Sequence, residues 1–431
     1  MYQKRNYAVS GLAEYRLDRP WIPETQWLPR LDGYVTGQTF LNDLFVYSGH
    51  ASAGYAQARP STINPTAVLS TDQYTNTGRF DLMQELSVPF GLGPVKLAPY
   101  GTLDLADYTN DLNGNNAARI WGGAGTRASL PFSRLYENAN SELFNVRGIN
   151  HKVVFGANYL YAKTNVPFSQ LPLLDRLNDD STDQSWRNIT PMQPMFVPGP
   201  NGLLLAQGGN PNSQFNPQRY LIRRDSTNRI DTLDNIDVLQ VDMRQRFQTK
   251  RGYPGLEHTV DVFTLGASAS YFPQSSRDNF GNPFSFVEYD ALWNIGDRTS
   301  VFSTGGFEPY DTGSRYYTIG AAFNRPDRTS FSISYRQTDP LNSRAVNGSL
   351  TYQLSPRYFL NTSTSYDFGI HAIANTFNLV RQGSDLTISL GMTYNSLVNS
   401  FGIQFMIMPN LLTALVPSGQ FTGSPISGSR R

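Results

Sequence analysis

Four histidines, scattered carboxylates and no cysteine are the raw material for chemistry in this chain of 431 residues. His50, His151, His258 and His371 lie too far apart for HExxH-type zinc spacing. Each therefore reads as a structural residue of a strand or loop. The segment HASAG, His50 to Gly54, comes nearest to a Gly-x-Ser-x-Gly nucleophile elbow, but it lacks the first glycine and lies in strand-like sequence. NDLNGNN, Asn110 to Asn116, gathers oxygen ligands around a glycine without the calcium-loop spacing or its closing glutamate. It reads as a solvated loop. Glu288 and Asp290 share one strand face and could do acid/base work, yet charges lining a wet lumen are the plainer reading. No phosphate-cradling glycine loop occurs, so the sequence points away from catalysis and no cofactor or metal is expected.

The elements that would position these residues are strands. Charged residues make up only 16% of the chain and aromatics reach 13%, with 24 Tyr and 26 Phe. Soluble proteins average about 25% charged residues. Mean hydropathy is nonetheless negative, −0.39. No apolar run approaches the roughly 18 residues of a membrane helix, which excludes the helical membrane class. A net charge of +1 with no basic run gives no footprint for nucleic acid. The absence of cysteine removes disulfides and thiol chemistry without fixing the compartment. The start, MYQKRNYAVSGLAEYRLD, has no apolar segment followed by a cleavage site, so the chain is expected to be a fragment.

In LTISLGMTYN, Leu386, Ile388, Leu390, Met392 and Tyr394 alternate with Thr387, Ser389, Gly391 and Thr393. A soluble sheet would fill the second face with Lys and Glu; here it is small and uncharged. The pattern recurs in TSFSISYRQ (Phe331, Ile333 and Tyr335 against Ser330, Ser332, Ser334 and Arg336) and in RYFLNTSTSYDF (Tyr358, Leu360 and Tyr366 against Asn361, Ser363, Ser365 and Asp367). VEYDALWNI opposes Val287, Tyr289, Ala291 and Trp293 to Glu288, Asp290 and Asn294. NIDVLQVDMRQRFQ opposes Leu239, Val241, Met243 and Phe247 to Gln240, Asp242, Arg244, Arg246 and Gln248. Period 2 over segments of about ten residues is the signature of transmembrane β-strands.

Connections give a second test. Short turns such as QGSD, LSPR, RPDR, GDR and FGLGP alternate with longer ones such as TDPLNSR, EPYDTGSR and QSSRDNFGNP, as periplasmic turns alternate with external loops in outer-membrane barrels. Two places break the alternation of lengths, a longish periplasmic piece near Ser133 to Gly148 and a short last external turn near Asn395 to Asn399. The expected fold is an all-β transmembrane antiparallel barrel of about 18 strands. It spans residues 1–410, with 163–235 as a long external loop region capping the lumen and 411–431 as a C-terminal tail. Lumen-lining candidates are Asp242, Arg244, Arg246, Glu288, Asp290, Arg336 and Asp367. A charged row cannot face lipid cheaply. Ile388, Leu390, Ile403 and Phe405 are expected to face lipid, and Trp293, Tyr358, Tyr366, Phe368 and Tyr394 to form interfacial girdles.

Several segments in order carry a family resemblance. NYLYAKTNVPFSQLPLLD, RQRFQTKRG, SYFP, RDNFG, EYDALWNIGDR, FNRPDRTSFSISYR and LTYQLSPRYFLNTSTSYDFG, preceded by QWLPRLDGYVTGQTF and GRFDLMQELSVPFGLGPVKLAPY, make the chain from about Gln26 to Leu411 similar to the barrel of the LPS-assembly outer-membrane proteins, LptD, also called organic solvent tolerance protein. The resemblance implies insertion of lipopolysaccharide into the outer leaflet through a seam between first and last strands, in the bacterial outer membrane and without enzymatic activity. The last strand would carry Phe401, Ile403, Phe405, Ile407 and Pro409 at that lateral gate. It also implies a barrel larger than this chain, near the 26-strand class, and as partners lipopolysaccharide, outer-membrane lipids, a plug lipoprotein of the LptE type and periplasmic bridge proteins. The family's cysteine pair near the last periplasmic turns is not present here, where the chain has RQGSD, Arg381 to Asp385, so this segment offers no thiols for disulfide control of assembly. Two other functions fit the residues: a passive porin-like channel, and an outer-membrane enzyme acting on lipid.

Overall fold

Segments with one bulky and one small face pair edge to edge, and in the computed structural model they form a single antiparallel sheet of 20 strands. Residues 1–15, 24–60, 73–175, 196–198, 204–206 and 230–409 are described, apart from 254, 280, 285–286, 308, 311–314, 326–327, 339–342, 370 and 397–398. The expected tail 411–431 and most of 163–235 lie outside the described residues.

β1 (Tyr2–Lys4) and β2 (Tyr7–Leu12) lead into β3 (Glu24–Phe40), β4 (Phe45–Arg59), β5 (Thr75–Ser87), β6 (Phe90–Leu92), β7 (Val95–Tyr108), β8 (Ala117–Ser141) and β9 (Val146–Thr164). After the long connection come β10 (Ile236–Arg251), β11 (His258–Tyr271), β12 (Val287–Ile295), β13 (Thr299–Phe307), β14 (Arg315–Arg325) and β15 (Thr329–Thr338). β16 (Ser343–Ser355), β17 (Tyr358–Asp367), β18 (Ala372–Gln382), β19 (Leu386–Asn395) and β20 (Ser400–Pro409) complete the sheet. Each strand pairs with its sequence neighbour, except that β6 continues the line of β5 along β7. A separate pair joins Phe196–Pro198 to Leu204–Ala206. The count exceeds the expected 18 by the three-residue pieces β1 and β6, too short to show an alternation. The supposed long connection at Ser133–Gly148 is instead the end of the β8–β9 hairpin, paired through Ser141 and Val146 across a bulge after Tyr136.

Directly opposed residues share a face, so the register fixes which side each one takes. Gly156 opposes Asp242, Asp242 opposes Ser268, Ser268 opposes Glu288 and Glu288 opposes Gly306. On this inner face, side chains from non-adjacent strands meet: Arg127 of β8 reaches Glu85 of β5 at 2.6 Å, and Tyr316 of β14 reaches Glu288 of β12 at 2.7 Å. A hollow of about 390 Å³ follows the same face from Leu292 to Gln404. The outer face is apolar and uncovered, with Phe80, Ile120, Phe155, Ile319, Ile333, Phe377 and Leu390 all exposed. Tyr358 opens β17, while Tyr366 and Tyr394 stand next to the ends of their strands, all three exposed on this face.

The sheet has two edges. Among the described residues β20 pairs only with β19, and β1 only with β2. Ile403 on β20 is accordingly 66% exposed, whereas Leu390, flanked by strands on both sides, is 41% exposed.

Candidate functional site

The inner wall built by β3 to β8 carries buried charge. Arg79 and Asp81 on β5, Asp104 on β7, Arg119 on β8 and Asp32 and His50 on β3 and β4 occupy the small or polar phase of their strands, and all are buried. Arg119 Nη2 donates to Asp104 Oδ1 at 2.8 Å, and Arg30 Nη2 to Asp32 Oδ1 at 2.7 Å. His50 Nε2 lies 3.0 Å from the same Asp32 oxygen, its ring stacked on Tyr34, while Nδ1 is 3.7 Å from Asp81 Oδ1. Guanidinium and carboxylate groups removed from water are tolerated where they neutralise one another, as Arg119 does Asp104 and Arg30 does Asp32.

The described ends of the long connection turn onto this wall. Phe168–Gln170 form a single 3₁₀ turn, Leu171 and Leu174 follow, and Ile230–Thr232 form a second turn opposite them. Leu171, Leu174 and Ile230 are each 1% exposed, packed in one cluster with Trp27, Ala56, Ala106 and Tyr108. Arg79 Nη1 bonds Asp175 Oδ2 and Asp231 Oδ1, both at 2.7 Å, and Arg30 Nη1 bonds Asp175 Oδ1 at 2.8 Å. Tyr108 Oη donates to Asp231 Oδ1 at 2.7 Å. The other oxygen of Asp231 accepts the backbone N–H groups of Leu174 and Asp175 at 2.8 and 2.7 Å, tying the two ends of the connection together. Burial pushes the Asp231 carboxyl up, but the Arg79 guanidinium, the Tyr108 hydroxyl and the Asp175 N–H outweigh it and hold it below the ordinary carboxylate range.

The sequence candidates lie on the same inner face, farther along the sheet. Asp242, Arg244 and Arg246 line β10, and Glu288 and Asp290 line β12 two strands away. A Cβ at Gly156 would strike the Asp242 carboxylate, and one at Gly266 the Asp290 carboxylate. These glycines make room for inward acids. Arg246 Nη2 pairs with Asp261 Oδ2 at 2.9 Å, and Gln248 Nε2 donates to Asp261 Oδ1 at 2.8 Å. Beyond β12 the inner face is nearly bare of charge. From β13 to β20 the described inner residues carry it only at Arg336 and Asp367, in one row through Ala345. Asp367 accepts from the Ser343 hydroxyl and, at 3.0 and 2.8 Å, from the N–H groups of Arg344 and Gly369, which makes it an anchor for loop backbone. Hydroxyl and amide side chains are frequent there, including Ser332, Ser349, Asn361, Thr376, Asn378 and Gln404 around the hollow.

Ile388, Leu390, Ile403 and Phe405 lie on the outer face, with Phe401 and Ile407 in phase. Pro409 closes the ladder opposite Leu386. In the Asn110–Asn116 loop, Asp111 Oδ1 accepts the N–H groups of Asn113 and Asn115 at 2.7 and 2.9 Å. Those bonds, with Asn115 first, hold the exposed carboxyl below its usual range and account for the motif as turn chemistry. Among the described residues no three His, Asp or Glu side chains gather as a metal site. The Arg79 network was missed because its partners are remote: Asp175 and Asp231 lie 96 and 152 residues away in sequence. The available signal was charge in the small phase of β5, β7 and β8.

No family model and no curated protein matches the chain. Among solved structures it is similar to a mutant of the Rh. blastica porin, with 10% identity over 77% of this chain and 90% of that one and a TM-score of 0.29. It is likewise similar to P. aeruginosa FpvA bound to heterologous pyoverdines, with 11% identity over 93% of this chain and 60% of that one and a TM-score of 0.29. The KdgM porin in complex with disordered oligogalacturonate aligns with 36% of this chain at 13% identity and a TM-score of 0.19.

Proposed function

We propose that this chain is the C-terminal part of the barrel of an outer-membrane translocon of the LPS-assembly type, which passes lipopolysaccharide along its inner face and releases it into the outer leaflet between β20 and the barrel's first strand. The observation that carries the reading is the pair of sheet edges. Backbone groups cannot stay unpaired in hydrocarbon, yet among the described residues β20 presents ten residues on an edge that pairs with no further strand. A polar inner face suits a sugar headgroup, and a weak seam gives acyl chains a way out. Outer-membrane lipids, a plug lipoprotein of the LptE type and periplasmic bridge proteins are the partners this function needs, and no chemical step is assigned to the chain. A second reading, a passive porin-like channel, is favoured by the charged row on β10 and β12, since large barrels leave an aqueous lumen.

The test locks the seam. A cysteine replacing Ile403 on β20 is paired with one placed in the first strand of the complete barrel, and this chain adds no other thiol. In the complete protein, crosslinking is expected to stop delivery of lipopolysaccharide to the cell surface, and reduction to restore it. Normal delivery with the two strands locked rejects the translocon and leaves the channel.

A further inference from the structure

The two described ends of the long connection do more than join β9 to β10. We infer that residues 168–175 and 230–233 form an internal strap that closes the β3–β8 half of the lumen to solutes, so that passage follows the nearly uncharged wall of β13–β20. The inference rests on the reading of the inner face as water-facing, and it adds which half of that face is open.

A connection lying across the outer mouth would leave its leucines in water. Here Leu171, Leu174 and Ile230 are as buried as wall residues such as Ala56 and Trp27, which they contact as one cluster. Apolar side chains sunk against an inner wall close it as a core does. The ionic contacts fix the depth. Asp175 binds both Arg30 and Arg79, and Asp231 binds Arg79 and Tyr108, so three groups from three strands hold two strap carboxylates. Asp231 further accepts two N–H groups of the facing strap residues, so each end keeps the other in place. Among the described residues the opposite wall has no such cover: Ser363 and Thr376 are exposed on the inner face, and the hollow of about 390 Å³ runs past them.

Single cysteines read this directly, since the chain contains no other thiol. The full chain, folded in lipid vesicles, is treated with a charged, membrane-impermeant thiol reagent after replacing Ala56 under the strap, Thr376 on the open wall or Phe377 on the lipid face. Thr376→Cys is expected to react about tenfold faster than Ala56→Cys or more, with Phe377→Cys unreactive. Adding Asp231→Asn is expected to raise the Ala56→Cys rate about tenfold and leave Thr376→Cys unchanged. Equal rates at Ala56→Cys and Thr376→Cys in the parent background, or no acceleration by Asp231→Asn, overturns the strap. Should Asp231→Asn fail to fold, as judged by heat-modifiable gel mobility, Leu174→Asn replaces it with the same expectation and the same refutation. An unreactive Thr376→Cys contradicts the water-facing inner wall instead, which separates failure of that reading from failure of the strap.

Discussion

One inner wall of this sheet is built of ions and the other of hydroxyls. Between β3 and β8 the inward positions hold Arg30, Asp32, His50, Arg79, Asp81, Asp104 and Arg119, and the long connection bonds to Arg30 and Arg79 and packs its leucines beside them. Between β13 and β20 the same phase of the alternation holds Ser, Thr, Asn and Gly over an open hollow. The outer faces of the two halves hardly differ. The outer face is apolar all along the sheet, whereas the inner face changes its chemistry from strand to strand. The strap is what lets charge be buried: without Asp175 and Asp231, Arg79 would stand in the wall with no carboxylate bonded to it.

The largest expected effect strikes the ionic wall. Arg79→Met leaves Asp231 without its guanidinium and Asp175 with Arg30 alone, and breaking a buried pair from one side costs about 3 to 5 kcal/mol. Urea unfolding from vesicles should show a loss of that order. An unchanged midpoint would mean that the strap does not depend on Arg79.

Next in size is the contrast between outer and inner faces on a single strand of the hydroxyl wall. Leu390→Arg places a guanidinium in lipid at about 2 to 4 kcal/mol, while Thr393→Arg, on the inner phase of the same strand, should cost far less. Comparable losses for the two variants in the same unfolding assay would place both residues in the same environment.

A smaller effect follows from acid. Because Asp231 titrates below the ordinary carboxylate value of about 4, its contribution to strap docking is complete above that value and is lost as pH falls through the lowered one. Asp32, Asp175, His50 and Tyr108 face the same network from the wall and the strap. Reactivity of Ala56→Cys, normalised to Thr376→Cys, should therefore stay flat in mild acid and rise only below about pH 4. In Asp231→Asn that acid limb should disappear. The smallest effect is expected at Asp111→Ala, which removes the one oxygen that accepts two N–H groups in an exposed loop and should lower stability by about 1 kcal/mol with no change in thiol access anywhere on the inner face.

The hydroxyl wall was fully legible in sequence. Strands such as Leu386–Asn395 and Thr329–Thr338 state both faces through strict alternation, and their turns are short enough to set the register. Asp242, Arg244, Glu288 and Asp290 could be placed on the inner face from the same rule. The strap could not. Leu171, Leu174 and Ile230 sit in a segment without period, and nothing local says that a leucine between prolines will fold inward. His50 is a similar case: its neighbour Asp32 lies across a strand pair whose register shifts between Trp27 and Arg30, a bulge that alternation cannot show. The short pieces β1 and β6 were illegible for a simpler reason, since three residues hold no period.

The central claim is that one face of this sheet meets water and the other lipid, and spin labels placed one at a time along β18 test it most directly. Positions 374, 376 and 378 take the inner phase and 373, 375, 377 and 379 the outer one. In vesicles, labels at the inner positions should relax with a water-soluble nickel complex, and labels at the outer positions with oxygen, which concentrates in hydrocarbon. The predicted result is a period of two residues with that phase. A reversed phase, or nickel and oxygen accessibilities that rise and fall together, would contradict the account.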